Sequence, residues 1–468
     1  MTDNSRITDR YRHQLIKLPC ARRLNLIGLV CVIFFTACGG AYGLEPLVGS
    51  VGPGWAVLLI LVTPIVWSLP IALMASELSS SLPQEGGFYV WVRTGLGEFW
   101  GVQEGWWTIC YMAADMAIYP VLFVGYLAYF FPALAISELG AISWRVFFAR
   151  WLIAALIVTS ALIVNLRGAR AVGRSSITNI ALVLLPFIVL TGIGLFSRGS
   201  IHTALSAIGT ANNRDKSLLA LGLSIVLWNY CGWDDVSTFA EEVNNPSRNY
   251  PKALVTGLLL TTAAYLLPVV AGIAVTTDRN VWSDSAGWPV IGQIIGGKWL
   301  GFVIAIGALI SAWSLFNSQL LYVSRLPYVM AVDRWLPKAL ARVSQQTGAP
   351  PSALIAASIV SVLFAALPFG KLVVIDILLY SAALALEFIA LIALRMKNPE
   401  MHRPFRIPGG WVGVALVTTL PLVCAFMVAL TSFSDKSVGR SQVVAVILLI
   451  VSGPLVYLLR VTRARTGT

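Results

Sequence analysis

The stretch Cys38-Gly39-Gly40-Ala41-Tyr42-Gly43-Leu44-Glu45 decides how the chain folds. An apolar run from Leu24 to Thr36 leads into it, and a weaker run follows to Val51. Together they can make one membrane crossing, which takes ~20 apolar residues. Three glycines interrupt that crossing, at Gly39, Gly40 and Gly43. Each costs ~1 kcal/mol in a helix relative to alanine. In hydrocarbon, a freed backbone group has to find a partner in protein, water or ligand. A glycine-rich break at membrane depth, with the Glu45 carboxylate beside it, is a place where backbone meets cargo.

The rest of the chain fits that reading. It has 468 residues, 57% hydrophobic and 12% charged, with a mean hydropathy of +0.80. This is the composition of an all-α integral membrane protein. We count twelve apolar segments between residues 24 and 459, and so expect twelve transmembrane helices. The net charge of +12 marks orientation rather than nucleic-acid binding: 23 of the 33 Lys and Arg fall on the side assigned as inner, as the positive-inside rule requires. Residues 1–23 and 460–468 then read as cytoplasmic tails of a multi-pass cell-membrane protein. Six cysteines without paired spacing read as small hydrophobes. All three histidines lie outside the expected spans. The sequence therefore calls for no metal or cofactor. It lacks a Gly-x-x-x-x-Gly-Lys-Ser/Thr phosphate loop, a carbonyl-rich filter repeat and any serine–histidine constellation. These absences argue against an ATP-driven pump, a channel and a membrane enzyme.

A second break echoes the first. Leu218 to Leu227 is apolar, then Trp228-Asn229-Tyr230-Cys231-Gly232-Trp233-Asp234-Asp235 interrupts, and the span resumes over 236–240. Paired interrupted helices at matching positions of two halves point to a secondary transporter built from inverted repeats. The expected layout is a five-plus-five repeat, 24–197 and 218–394, with helices 1 and 6 broken and two extra helices in 411–459. A segment at 99–131 is longer than a bilayer needs. The polar but aromatic stretch before it, from Glu77 to Gly101, reads as a re-entrant or interfacial loop.

The breaks set the chemistry. Amides opening one half-helix favour an anion, and carbonyls ending another favour a cation. A zwitterion would place its carboxylate at Gly39, Gly40 and Ala41 and its amine near Asn229 to Cys231, with Gly232 leaving the backbone bare. Tyr42, Trp233 and Trp313 are candidate covers over a small ligand. Acids inside spans are costly and mark function. Glu45, Asp115 and Asp234 are the candidate proton carriers, Asp115 also the candidate amine partner, and Glu387 a further buried acid.

These motifs resemble the amino acid–polyamine–organocation superfamily over roughly residues 24–460. Cys38 to Pro46 is similar to its unwound first helix. Glu77-x-x-x-x-x-Pro83-x-x-Gly86-Gly87, followed by Gly97-x-Phe-Trp-Gly101, resembles its loop signature. Glu241-x-x-x-Asn245-Pro246 with Pro251-Lys252-Ala253 resembles the segment after its sixth helix. Within it the chain is most similar to the branch of plant and protozoan polyamine uptake transporters and bacterial relatives. Gln103-x-Gly-Trp-Trp107, Asp115-x-x-x-Tyr-Pro-Val-Leu-Phe123 and Trp228-Asn229 through Thr238 carry that likeness.

The resemblance implies a LeuT-like fold and proton-coupled symport. It implies that Gly39, Gly40, Asn229, Cys231 and Gly232 line the substrate site, with Glu45 and Asp115 at positions where the branch keeps acids. One departure matters. Where polyamine carriers of the branch place acids in helix eight, this chain has Asn317 and Gln319. Sequence alone therefore favours an importer of an amino acid, or of a mono- or diamine, with Asn317 in its site. A polyamine symporter and an exchanger are the alternatives, and a non-transporting nutrient sensor is the reading from another class. Nothing in the sequence sets an oligomeric state.

Overall fold

The computed structural model describes residues 24–84, 86–135, 143–198, 201–209, 216–235, 237, 243–283, 287–434 and 440–466. The expected N-terminal tail lies outside this set, as do residues 236 and 238–242, which hold the expected resumption of the second broken span and Glu241 and Glu242. Helices account for nearly everything described. The first crossing is split into α1 (Leu26–Ala37) and α2 (Glu45–Val51). Then follow α3 (Pro53–Ser81), α4 (Gly87–Leu96), α5 (Glu98–Leu127), α6 (Trp144–Asn165) and α7 (Ala169–Ile193). The second half has α8 (Lys216–Asn229), α9 (Pro246–Val275), α10 (Gly287–Gly296), α11 (Lys298–Val323) and α12 (Arg325–Val332). It continues with α13 (Pro351–Phe364), α14 (Phe369–Lys397), α15 (Gly410–Ser434) and α16 (Arg440–Thr466).

Among the described residues, 8 helices are long and apolar enough to cross a membrane, and three shorter apolar helices include α1 and α13. The first predicted break exists, between α1 ending at Ala37 and α2 opening at Glu45, and α8 ends at Asn229, where the second was expected. The glycines explain the first turn. Gly40 and Gly43 both sit at φ +85, a left-handed conformation that an L side chain rarely adopts. Gly232 does the same in the second break, at φ +87.

Burial separates central from peripheral helices. The most apolar window of α5 is 72% buried and that of α6 only 17%. Leu152, Leu156, Leu185 and Ile188 on α6 and α7 point outward, as lipid-facing positions do. α5 packs along α14 and α11, while α1 lies against α7, α9 and α11. At 30 residues, α5 is about 45 Å long, so it extends beyond ~30 Å of hydrocarbon. The stretch read as a re-entrant or interfacial loop contains a 10-residue helix, α4, with Phe88, Tyr89, Trp91 and Val92 fully buried. Its aromatics pack inward, onto α5 and α14.

Three ion pairs in two clusters tie one end of the bundle. Arg93 of α4 and the Tyr89 hydroxyl (2.7 Å) both reach Asp333, just past α12. Glu77 of α3 accepts two bonds from Arg395 of α14, one at 2.8 Å, lies 3.4 Å from Arg403, and accepts the Ile407 amide at 2.7 Å. Glu77 is 1% exposed. Removing one partner of a buried charge pair costs about 3–5 kcal/mol. Glu77→Gln should therefore lower the melting temperature in detergent more than Arg395→Met, which leaves Arg403 as partner. The reverse order in a thermal unfolding series would contradict this account of the cluster.

Candidate functional site

The two breaks meet. Tyr265 of α9 places its hydroxyl 2.7 Å from the Asn229 carbonyl and 3.3 Å from the Ala37 carbonyl. These carbonyls end α8 and α1, so two helix C-termini converge on one hydroxyl. Each carries roughly half a negative charge. The convergence needs bare backbone. A Cβ on Gly232 would come within 3.2 Å of both the Thr36 carbonyl and Asp235 Oδ2, and one on Gly43 within 3.2 Å of the Trp228 ring.

Acids reinforce that negative end. Asp115 of α5, 6% exposed, accepts the Tyr119 hydroxyl at 2.9 Å and the Trp228 indole N–H at 3.1 Å. Gln319 of α11 donates to the Tyr119 hydroxyl and lies 3.4 Å from the Thr36 carbonyl, while its own Oε1 has no partner. Asp235 accepts the Tyr111 hydroxyl at 2.8 Å. Asp376 of α14 faces Asp115 and Asp235 electrostatically, and its Oδ1 lacks a donor. Among the described residues, no Lys or Arg forms an ion pair with Asp115 or Asp376.

The amide end that opens α2 is already engaged. Glu45, fully buried, accepts the Gly43 amide at 2.8 Å and the Tyr126 hydroxyl at 2.8 Å, with the Trp288 amide at 3.4 Å. The carboxylate of Glu45 thus holds the Gly43 amide, next to the Gly39, Gly40 and Ala41 backbone at which the sequence placed a substrate carboxylate. Gly40 donates to the Cys38 sulfur at 3.3 Å. The neighbouring predicted residues turn toward the surrounding helices. Gly39 accepts the Ser311 hydroxyl, Ala41 the Trp288 indole N–H at 2.7 Å, and Tyr42 donates to the Ile304 carbonyl at 2.8 Å. Gly39 and Gly40 bring α11 and α7 close, since Cβ atoms there would meet Leu315 and Val183.

Other predicted residues divide. Asn229 and Cys231 sit at the junction, bonded back to Ile225 (2.9 Å) and Leu227 (3.0 Å). Asp234 accepts the Tyr380 hydroxyl at 2.5 Å and points toward Glu387. Trp233 packs instead near Ile33 and Gly257, its indole on the Tyr230 carbonyl at 2.9 Å. Trp313 donates to Ser160 at 2.8 Å, on α6. Asn317 donates to Ser175 at 3.0 Å and accepts from Asn165 at 3.0 Å. It clamps α11 to α6 and α7, away from the junction. Sequence reasoning missed Trp228, Tyr265, Asp376 and Glu104. Two of these had a signal. Glu104 and Asp115 are eleven residues apart on α5, as are Asp376 and Glu387 on α14, which is about three helical turns and one face.

A family model described as amino acid permease matches residues 24–452. A probable polyamine transporter of Arabidopsis thaliana is 34% identical over 421 residues, covering 89% of this chain and 81% of that protein. A polyamine transporter of Oryza sativa subsp. japonica is 34% identical over 425 residues, 90% of this chain and 77% of its own. An uncharacterized transporter of Mycobacterium tuberculosis is 30% identical over 333 residues, 70% of each chain.

Removing the Tyr265 hydroxyl leaves two buried carbonyls without it, at about 1–3 kcal/mol. Tyr265→Phe should lower the melting temperature accordingly. An unchanged melting temperature would show that the two helix ends are satisfied without this residue.

Proposed function

We propose, from the premise that the chain belongs to the amino acid permease family, that this multi-pass membrane protein imports a small organic cation, a polyamine, together with protons. The observation that carries the reading is the polarity of the breaks. Two helix C-termini converge beside Asp115, and at the first break the Gly43 amide is held by Glu45 and the Gly40 amide by the Cys38 sulfur. An ammonium group taken from water needs acceptors and counter-charge, and the junction offers carbonyls and carboxylates. Asp115 is the partner we assign to one amine and Asp376 to a second. The neutral Asn317 loses its weight against a polyamine, because it lies away from the junction. Names of the relatives from Arabidopsis and rice support the same substrate class.

In this reading the two halves, 24–197 and 218–394, rock as inverted repeats about the junction. The arginine-rich end that holds Arg93, Arg395 and Arg403 is cytoplasmic, and the membrane is the plasma membrane. An amino acid remains the second reading, favoured by the description of the matching family.

Uptake into proteoliposomes separates the two. Radiolabelled putrescine or spermidine should accumulate when the outside is acidic and stay near background without a gradient. Zwitterionic amino acids should neither accumulate nor compete. Amino-acid uptake indifferent to excess spermidine would overturn the polyamine reading. Truncating one member of a buried charge pair costs about 2–5 kcal/mol. Asp115→Asn should weaken spermidine binding by at least the lower end of that range, measured as ligand-induced thermal stabilisation.

A further inference from the structure

The carboxylates do not stop at the junction. Glu104 of α5, Asp234 of the second break and Glu387 of α14 are 0%, 0% and 1% exposed. Asp234 and Glu387 lie within hydrogen-bond reach, and Glu104 faces Asp234 and Glu387 electrostatically. Three elements therefore deliver one acid each to a common point. Glu104 and Glu387 lie about 16 Å along their helices from Asp115 and Asp376, toward the end that holds Arg93 and Arg395. The shared eleven-residue spacing on two antiparallel helices keeps both pairs in register.

Independently of the clustering, one oxygen of each member has no donor among the described residues: Glu104 Oε2, Asp234 Oδ2 and Glu387 Oε2. The groups facing the triad are hydroxyls and further acids. Thr108 donates to Glu104 at 3.2 Å and Tyr380 to Asp234 at 2.5 Å. Tyr111 and Asp235 lie beside Asp234, and Cys231 flanks it from the break. Among the described residues, no Lys or Arg of α3, α15 or α16 forms an ion pair with any of the three; the arginines at that end hold Glu77 and Asp333. Two buried carboxyl groups side by side, each with one oxygen offered no donor, are stable only when a proton sits between them or a cation joins them. Asp234 and Glu387 are direct neighbours, and no Lys or Arg among the described residues forms an ion pair with either, so the ligand that fits is a proton.

We propose that Glu104, Asp234 and Glu387 form a proton-binding station separate from the substrate junction, and that this station, through Asp234, couples the pH gradient to transport. This rests on the transporter reading above. One proton binds from the outer side and is held as a carboxyl hydrogen shared by Asp234 and Glu387. It leaves to cytoplasmic water when that end opens, and the carboxylate is restored. Asp234 is the link because it lies on the same broken segment as Asn229 and Gly232, so loading the station acts on the backbone that holds the cargo. Tyr111 and Tyr380, edge to face with centroids 5.3 Å apart, join the station to Asp235 and Asp115 without placing a charge between them.

The test compares two modes of transport in the same proteoliposomes. Counterflow exchanges labelled for unlabelled spermidine and needs no gradient, whereas concentrative uptake needs the proton. Glu387→Gln and Glu104→Gln should keep counterflow near the wild-type rate. Both should lose gradient-driven uptake by about tenfold or more, the size of a typical coupling between two sites. Infrared difference spectra of the purified wild type, titrated without substrate, should show a protonated-carboxyl band that Glu387→Gln removes. Gradient-driven uptake retained in proportion to counterflow overturns the station, as does a carboxyl band unchanged in Glu387→Gln. Loss of both transport modes with spermidine stabilisation intact also overturns it, because the residues would then serve the substrate cycle as a whole. If Glu387→Gln does not fold, Glu104→Gln and Thr108→Val decide by the same two readouts. Absence of counterflow in the wild type for every amine would instead sink the transporter reading, while the infrared band would still report on the station.

Discussion

A helix stopped in the middle of a membrane leaves its last carbonyls without partners, and this structure stops two of them at one place. Each stop would be costly alone, because hydrocarbon offers no donor. Placed end to end, α1 and α8 share the Tyr265 hydroxyl and lend their carbonyls to whatever binds between them. Glycine makes the approach possible: Gly43 and Gly232 sit where a Cβ would press on Trp228 and on the Thr36 carbonyl. The sign of the site follows from the direction of the two helices. Both present C-termini, so the junction is negative before any acid is counted.

Around that junction the surrounding helices act as clamps. Tyr42 and Ser311 fix the first break to α11. Asn317 joins α11 to α6 and α7 through Asn165 and Ser175. At one end, Glu77 and Asp333 gather arginines from three elements. The bundle thus holds three arginines in ion pairs at one end and leaves the acids of its centre facing one another. That separation is the source of its chemistry. A core rich in carboxylates and short of cations is stable only when it holds protons or positive cargo.

Much of this was legible in the sequence. Glycines and polar residues inside apolar runs located both breaks, and an acid beside each marked them as functional. What sequence order concealed was the facing of side chains. Asn317 and Gln319 are neighbours in the chain, but two residues turn a helix by about 200°, so one meets α6 and the other meets Tyr119. Trp228 and Trp233 flank the same break, yet only Trp228 reaches Asp115. α4 read as a loop because its polarity disguised an aromatic face buried on α5. Glu104 and Asp376 were hidden for the opposite reason. Each shares a long span with a second acid, and its meaning lies in a spacing repeated on another helix.

The central claim is that the convergent helix ends hold a cation. A structure of the protein determined with bound spermidine tests it most directly. The account predicts an ammonium nitrogen within hydrogen-bond distance of Asp115 and of the carbonyls at Thr36 or Asn229, with Glu45 still bonded to the Gly43 amide. A ligand seated instead on the amides of Gly39 to Gly43, with Glu45 displaced, would contradict it.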